Sequence, residues 1–468
     1  MIFVLLAACK TRGITYVAGP DAGISIVIVD PTTCSDCDPL EDVDGLRVDV
    51  VRPETGEVLA TDSFPWPGDA PEVPSLTDFG VVRVELYGLQ GSNVVSAGRT
   101  APFAVDPGNP ATIPMLFLPA NRMVPLTGNL WEERSRHVSF RRPDGRIALI
   151  GGVDRFGEDR FDSSELFDPA THTFGPDAIA PNLPAFPAWV REVDGDLLMV
   201  GGEDPGENRE SLGWVYEVSA DGAQGVLAPQ GAMEVPRSKP CVGLAGERIG
   251  VVMGGVDDVE GDAVVDVMRL GDAGWGFVRG EAPGLDSKAV LGCIGLGDGR
   301  VFVLGESATQ TGYFSFAEDE TLDFIQVGSQ GPSVANAALR LLDNGHVWIG
   351  GGVSGDEVQG ETWEFRPDEG TFASSASFAE ARARPEVEPW LFSDTLAVGC
   401  GYSEANLEEG AASVEIVDLD GVGIQVDLDR SRPGCSMTVL PDGALLITGG
   451  YDANDAGQLG AAVVVAVL

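Results

Sequence analysis

Seven times between residues 146 and 450 an apolar run closes on a glycine pair or a near variant of one. The runs are RIALIGG (146–152), DLLMVGG (196–202), RIGVVMGG (248–255), RVFVLGE (300–306), HVWIGGG (346–352), TLAVGCG (395–401) and ALLITGG (444–450). The repeat glycines are Gly151 and Gly152, Gly201 and Gly202, Gly254 and Gly255, Gly305, Gly350 and Gly351, Gly399 and Gly401, and Gly449 and Gly450. The first glycine of each set follows the previous one by 50, 53, 51, 45, 49 and 50 residues. Glu306 replaces the second glycine of the fourth set, and Cys400 interrupts the sixth. A fixed period of this size means one supersecondary unit repeated, each copy burying its faces against its neighbours. Glycine suits a strand end where the chain turns sharply between crowded neighbours. A ligand-cradling loop would not need seven copies in phase.

Other features keep that phase. The dipeptides Asp144-Gly145, Asp194-Gly195, Asp298-Gly299, Asn344-Gly345 and Asp442-Gly443 precede five of the runs and predict two-residue hairpin turns. An inner strand comes before each turn, such as HVSFRR (137–142), and a third strand follows each polar loop, such as SELFDP (164–169) or TWEFRP (362–367). Four short strands with their loops fill about 50 residues, the length of one propeller blade. The period, the glycine pairs and the run SSELFDPATHTF (163–174) resemble kelch repeats, with Phe174 where such repeats often carry Trp. The expectation is an all-β chain: a seven-bladed kelch-type β-propeller over 115–468, preceded by a small β-sandwich domain.

The last repeat ends after its third strand, so one outer strand is missing from the seventh blade. The segment 115–126 (MLFLPANRMVPL) is expected to supply it and close the ring. Cys241, Cys293 and Cys435 fall at the repeat position of His137, and Cys400 ends the second strand of the sixth blade. That phase predicts disulfides Cys241–Cys293 and Cys400–Cys435, each tying adjacent blades. Buried free thiols are the alternative.

Residues 23–114 hold six strand-like runs between turns. In Val82-Arg83-Val84-Glu85-Leu86 strict alternation puts apolar side chains on one face and charges on the other. Six such strands suit an immunoglobulin-like β-sandwich. Cys34 and Cys37 lie in the loop TTCSDCDPL, where the helix of a redox CxxC site is missing and a local disulfide is expected. At the start, the apolar run from Ile2 to Ala8 is far shorter than the roughly 20 residues of a membrane-spanning helix. Leu6-Ala7-Ala8-Cys9 resembles the lipobox of bacterial lipoproteins. The resemblance implies a signal peptide over 1–8, lipidation of Cys9, and an anchor and linker over 9–22. No basic residue precedes the apolar run; an upstream start or a chance apolar terminus are the alternatives.

The chain carries 29 Lys+Arg against 73 Asp+Glu, a formal charge of −44. Such a surface repels phosphate backbones, so no nucleic-acid partner is expected. It suits solubility outside a cell. The acidic segment with Asp257, Asp258, Glu260 and Asp262 reads as a solvated loop, with Ca²⁺ binding as the alternative; otherwise no cofactor is expected. Only His137, His172 and His346 are present, and they are spread over different strands and turns. The chain resembles galactose oxidase in propeller architecture, but that enzyme's His, Tyr and thioether-linked Cys set cannot be assembled here. No Ser-His-Asp arrangement suggests itself, and a two-carboxylate glycosidase remains open. The expected role is a monomeric surface protein, lipid-anchored in the cell envelope or outer membrane. It would present loops to a protein or glycan partner. An extracellular propeller enzyme and a structural envelope protein are the alternatives.

Overall fold

The structure is a computed structural model. It describes residues 5–6, 14–17, 24–29, 37–67, 80–106, 111–126 and 128–464, apart from 155–158, 180–182, 186, 193–194, 204–207, 220–221, 223, 256–263, 317–321, 419–420, 429 and 452–459. Strands dominate, and among the described residues the one helical turn is Ser287–Ala289. None of the described helices is long and apolar enough to cross a membrane.

Seven four-stranded antiparallel sheets form the ring. Their inner strands are Val138–Arg141, Ala188–Arg191, Cys241–Leu244, Val290–Gly295, Ala338–Leu341, Glu386–Trp390 and Cys435–Val439, here numbered blades 1 to 7. In blade 7 the order from the inside is Cys435–Val439, Leu445–Gly449, Ala462–Val464 and Met123–Pro125. The chain therefore closes its ring with a strand from before the first blade, which pairs Val124 with Val463. Residues Ala111–Pro119 stay outside the ring, paired with Ile24–Val29 and Asn93–Arg99.

The hairpins between inner and second strands differ from the two-residue turns the dipeptides suggest. In blade 1, Arg142 N donates to Arg146 O at 2.8 Å and Gly145 N to Arg142 O at 3.0 Å. This is a three-residue loop ending in a left-handed glycine, Gly145 at φ 87°. The Asp144 carboxylate accepts from Arg146 N at 3.0 Å. Asp298, Asn344 and Asp442 repeat that bond in blades 4, 5 and 7. The Asp or Asn is thus selected as a local acceptor rather than for its own positive φ.

The left-handed pairs at the second-strand ends also refine the expected glycine phase. In blades 5 and 6 the pair is Gly351 with Gly352 and Cys400 with Gly401, while Gly350 and Gly399 still belong to the strand. Gly305 is not left-handed. At Gly255 a Cβ would stand 2.2 Å from the Ser238 carbonyl oxygen, so the close approach of the next chain segment excludes any side chain.

A recurring arginine staples neighbouring blades. Arg134, Arg237 and Arg382 are fully buried in the segments that lead into blades 1, 3 and 6. Each backbone carbonyl accepts from the second glycine of the preceding blade: Gly450, Gly202 and Gly352 respectively. Each guanidinium then reaches its own blade. Arg237 donates to Gly254 O at 2.7 Å, Val264 O at 3.2 Å and Asp266 at 2.9 Å. Arg134 meets Gly151, Ser163 and Glu165 in the same way, and Arg382 meets Ser413 and Glu415. A paired carboxylate and several carbonyl acceptors are what make each buried charge tolerable.

The first domain has the hydrogen-bonding order Leu5–Leu6, Ile14–Val17, Ile24–Val29, Ala111–Pro119, Asn93–Arg99, Val81–Gln90, Gly45–Val51, Val58–Pro65, with Phe103–Ala104 on Val81–Gln90. In a flat sheet Ile24–Val29 and Gly45–Val51 would lie about 19 Å apart. Instead Ile26, Ile28 and Met115 share one core with Val48, Val50 and Val84, so the sheet curls over on itself. A second cluster joins Tyr87, Leu116 and Leu118 to Leu440, Leu446 and Val463 of blade 7, which docks the domain on the ring. Arg99 adds a cation–π contact, 5.7 Å from the Trp390 ring of blade 6.

Candidate functional site

The residue after the blade-entering turn sits at the same place in several blades. Ser135, Ala335 and Ala383 pair through backbone bonds with Val153, Val353 and Tyr402, just past the glycine pairs, and Ser238 bonds Gly255. The next residue in each case is left-handed: Arg136 at φ 57°, Lys239 at 48°, Asn336 at 57° and Arg384 at 50°. Gly434 holds the position in blade 7, at φ 69°. Non-glycine residues avoid this region, and each costs on the order of 1–3 kcal/mol there. Strain repeated at one rim, and filled with three cations and an amide, makes this rim the candidate site.

These residues surround the glycine end of the central channel. Two adjoining cavities of about 480 and 280 Å³ open there, and both are walled by Trp189, Lys239, Asn336, Arg384 and Glu386. The larger lies within the roughly 300–1,000 Å³ of small-ligand sites. Arg136 Nε donates to the Tyr402 hydroxyl at 3.3 Å, and Arg384 Nε to Asn336 Oδ1 at 2.9 Å. Lys239 Nζ lies 3.2 Å from Glu203. Burial pulls the Arg384 guanidinium below its ordinary range; Tyr402 opposes this and the nearby charge of Arg136 adds to it. Trp189 keeps 42% of its surface exposed in the channel wall.

Two carboxylates of the channel are shifted upward by burial. Glu386 keeps part of its surface in the cavity, yet the surrounding wall pushes its carboxyl up to about 8 by burial, with Glu388 adding to the shift. Glu388 is itself raised by burial, against the pull of Val439 N, Arg340, Arg141 and Arg191. Those three arginines converge from blades 5, 1 and 2 on the far end of the channel. Burial lowers Arg191, and Arg141 and Arg340 push the same way. Cations thus gather at both ends of the channel in a molecule whose sequence is overwhelmingly acidic.

Cys241 pairs with Cys293 (Cα–Cα 5.8 Å) and Cys400 with Cys435 (5.6 Å). Both bridges tie neighbouring blades beside the cavities. The register corrects the shared position assigned to three cysteines: Cys435, paired with left-handed Gly449, matches His137. Cys241 pairs with Met253 one residue further along the strand, and Cys293 lies deeper, opposite Val303. Cys37 is disulfide-bonded, while its expected partner Cys34 lies outside the described residues. So do Cys9 and the Ca²⁺ candidates Asp257, Asp258, Glu260 and Asp262. Among the described residues no group of three or more His, Cys, Asp or Glu could hold a metal ion. His137 is buried in the wall of the smaller cavity, its Nε2 2.9 Å from Thr448 Oγ1, and burial lowers it to about 3.

The sequence reading missed the cationic rim. A signal for it is present: Arg134-Ser135-Arg136, Arg237-Ser238-Lys239 and Arg382-Ala383-Arg384 are one triplet pattern in phase with the blades. Its first arginine staples blades and its last residue faces the channel. No protein-family model matches the chain, and no curated protein matches it by sequence.

Proposed function

We propose that the chain is a binding module of a bacterial cell surface, whose ligand seats in the channel mouth at the glycine end. The observation that carries this reading is the set of left-handed, non-glycine residues Arg136, Lys239, Asn336 and Arg384 around an open cavity. A scaffold alone has no use for repeated backbone strain at one rim. The partner class is a glycan, taken by polar groups and one exposed Trp. Several further parts belong to the proposal: the kelch-type identity of the repeats, an immunoglobulin-like two-layer first domain, and a lipid anchor on Cys9. The shared core of Ile26, Met115, Val48 and Val84 supports two layers. The two inter-blade disulfides fit an oxidising compartment. The test is a glycan array probed with the purified full chain and with Trp189→Ala. Specific signals that vanish in the variant are expected; binding untouched by Trp189→Ala would move the site elsewhere.

One observation favours a second reading, a propeller hydrolase. Glu386 holds its proton near neutrality in the wall of an open cavity, as a general acid must. Release of reducing ends from a bound glycan, abolished in Glu386→Gln, would establish that reading. Retention of intact glycan by both proteins would leave the binding module.

A further inference from the structure

We infer that Arg141, Arg191 and Arg340 form an anion site at the hairpin end of the central channel, one that takes a phosphate or sulfate group. This site lies at the opposite end from the glycine-end mouth and does not depend on the reading given to that mouth. Three observations carry it.

The first is position. Arg141 pairs with Ile147 and Arg191 with Leu197, the last paired residues before the hairpins of blades 1 and 2. Arg340 pairs with Trp348, one pair in from the hairpin of blade 5. Each therefore stands near the same end of an inner strand, and the inner strands surround the channel. Contacts between those strands draw the set together. Arg191 lays its guanidinium over the Phe140 ring of blade 1, 4.9 Å from the centroid, and its Nη2 donates to the Arg141 carbonyl. Ser139 and Thr438 join their hydroxyls across blades 1 and 7. Glu388 of blade 6 accepts from Val439 N of blade 7 at 3.0 Å. The inner strand of blade 5 packs on that of blade 6. One carboxylate, Glu388, consequently feels all three arginines.

The second is availability. Arg141 and Arg191 are exposed, and Arg340 is half-buried. Among the described residues, no group bonds the guanidinium of Arg141 or of Arg340. Arg142, the next residue along, is by contrast buried and paired with Asp144 at 3.0 Å. The chain thus spends one arginine of this pair on structure and turns the other outward.

The third is charge. Three guanidiniums face the carboxylates of Glu388 and of Asp343 on the blade 5 hairpin. Burial weakens Glu388 as a counter-ion by raising its ionisation. Burial also pulls Arg191 and Arg340 below their ordinary range. A dianion seated among them would offset that cost. A carboxylate is spanned by one planar fork, whereas the four oxygens of phosphate or sulfate can meet forks arriving from three blades.

The test is calorimetric titration of the full chain, at constant ionic strength, with inorganic phosphate, inorganic sulfate, glucose 6-phosphate and acetate. Phosphate and sulfate should each bind at least about tenfold more tightly than acetate, the margin of one charge-assisted bond. Tighter binding of glucose 6-phosphate than of the free ion would assign a phosphorylated ligand; equal or weaker binding would assign the free ion. Arg141→Gln and Arg340→Gln should each weaken phosphate by about tenfold. Arg248→Gln, an exposed arginine on the blade 3 hairpin at the same end of the ring, should not. Glu388→Gln keeps an acceptor for Val439 N without the charge and should leave phosphate bound at least as tightly. Circular dichroism and melting of each variant separate lost contacts from lost folding. Acetate bound as tightly as phosphate, or no binding of either dianion, would overturn the inference. Phosphate binding that survives in both arginine variants, or that falls equally in Arg248→Gln, would overturn the site. So would an equal loss in Glu388→Gln, because a disturbed channel and not a lost contact would then lower the affinity. Loss in Arg384→Gln with none in Arg141→Gln or Arg340→Gln would place the anion at the glycine end and overturn the inference as well.

Discussion

At the scale of single residues, the fold depends on charges that most cores exclude. Arg237 is fully buried and its guanidinium meets Asp266, whose side chain is equally buried, at 2.9 Å. Asp266 also accepts from Glu234 N at 3.0 Å. Arg237→Ala would strand that carboxylate and open the joint between blades 2 and 3. A loss of about 3–5 kcal/mol is expected in urea unfolding. The pair Arg237→Met with Asp266→Leu should recover much of it, because the desolvation of both charges disappears together. If the single and double variants unfold at the same urea concentration, the staple is not what the arginine supplies. Glu386 gives a residue-scale effect of the opposite kind. The unfolded chain ionises this side chain near its ordinary 4.5, whereas the folded chain does so only near 8. Between those values the folded state keeps a proton that the unfolded state has lost. The contribution is therefore full below about 4.5 and is lost as the pH rises through 8. Melting temperature should fall from pH 5 to pH 8, and fall less in Glu386→Gln, with Glu388 leaving some slope in both. Parallel curves for the two proteins would show that Glu386 is not held neutral.

At the scale of strands and loops, the closing strand is the element on which the ring turns. Met123–Pro125 covers Ala462–Val464, and Val124 and Val463 are fully buried. Without it the third strand of blade 7 becomes an open edge and loses an apolar cover. Val124→Asp places a charge in that seam and should lower the melting temperature of the whole propeller in one transition. A propeller that melts unchanged would show that the seam contributes little. This closure and both inter-blade disulfides were legible in the sequence, because each follows from counting residues against a fixed period. The hairpins were less so: an Asp-Gly pair looks the same in a two-residue turn and at the end of a three-residue loop. The phase of Cys241 was misjudged by one residue because the segments entering the blades differ, with Pro240 in blade 3 where blade 1 has His137. The candidate site was the least legible part. Arg136, Asn336 and Arg384 are single residues about a blade or more apart, and nothing local says that they meet. Only the closed ring brings them together, and the backbone angle that marks them is invisible in residue type.

At the scale of the whole molecule, two fields of opposite sign act at different ranges. The net charge of −44 is felt as far as salt allows, about 30 Å at 0.01 M ionic strength and about 10 Å at 0.1 M. The cations of the channel act within hydrogen-bonding distance and are shielded from salt by the walls around them. The long-range field pushes the surface apart, so the melting temperature should rise when sodium chloride is raised from 10 to about 150 mM. A melting temperature that salt leaves unchanged would show that the acidic groups are too dispersed for their mutual repulsion to bear on the fold.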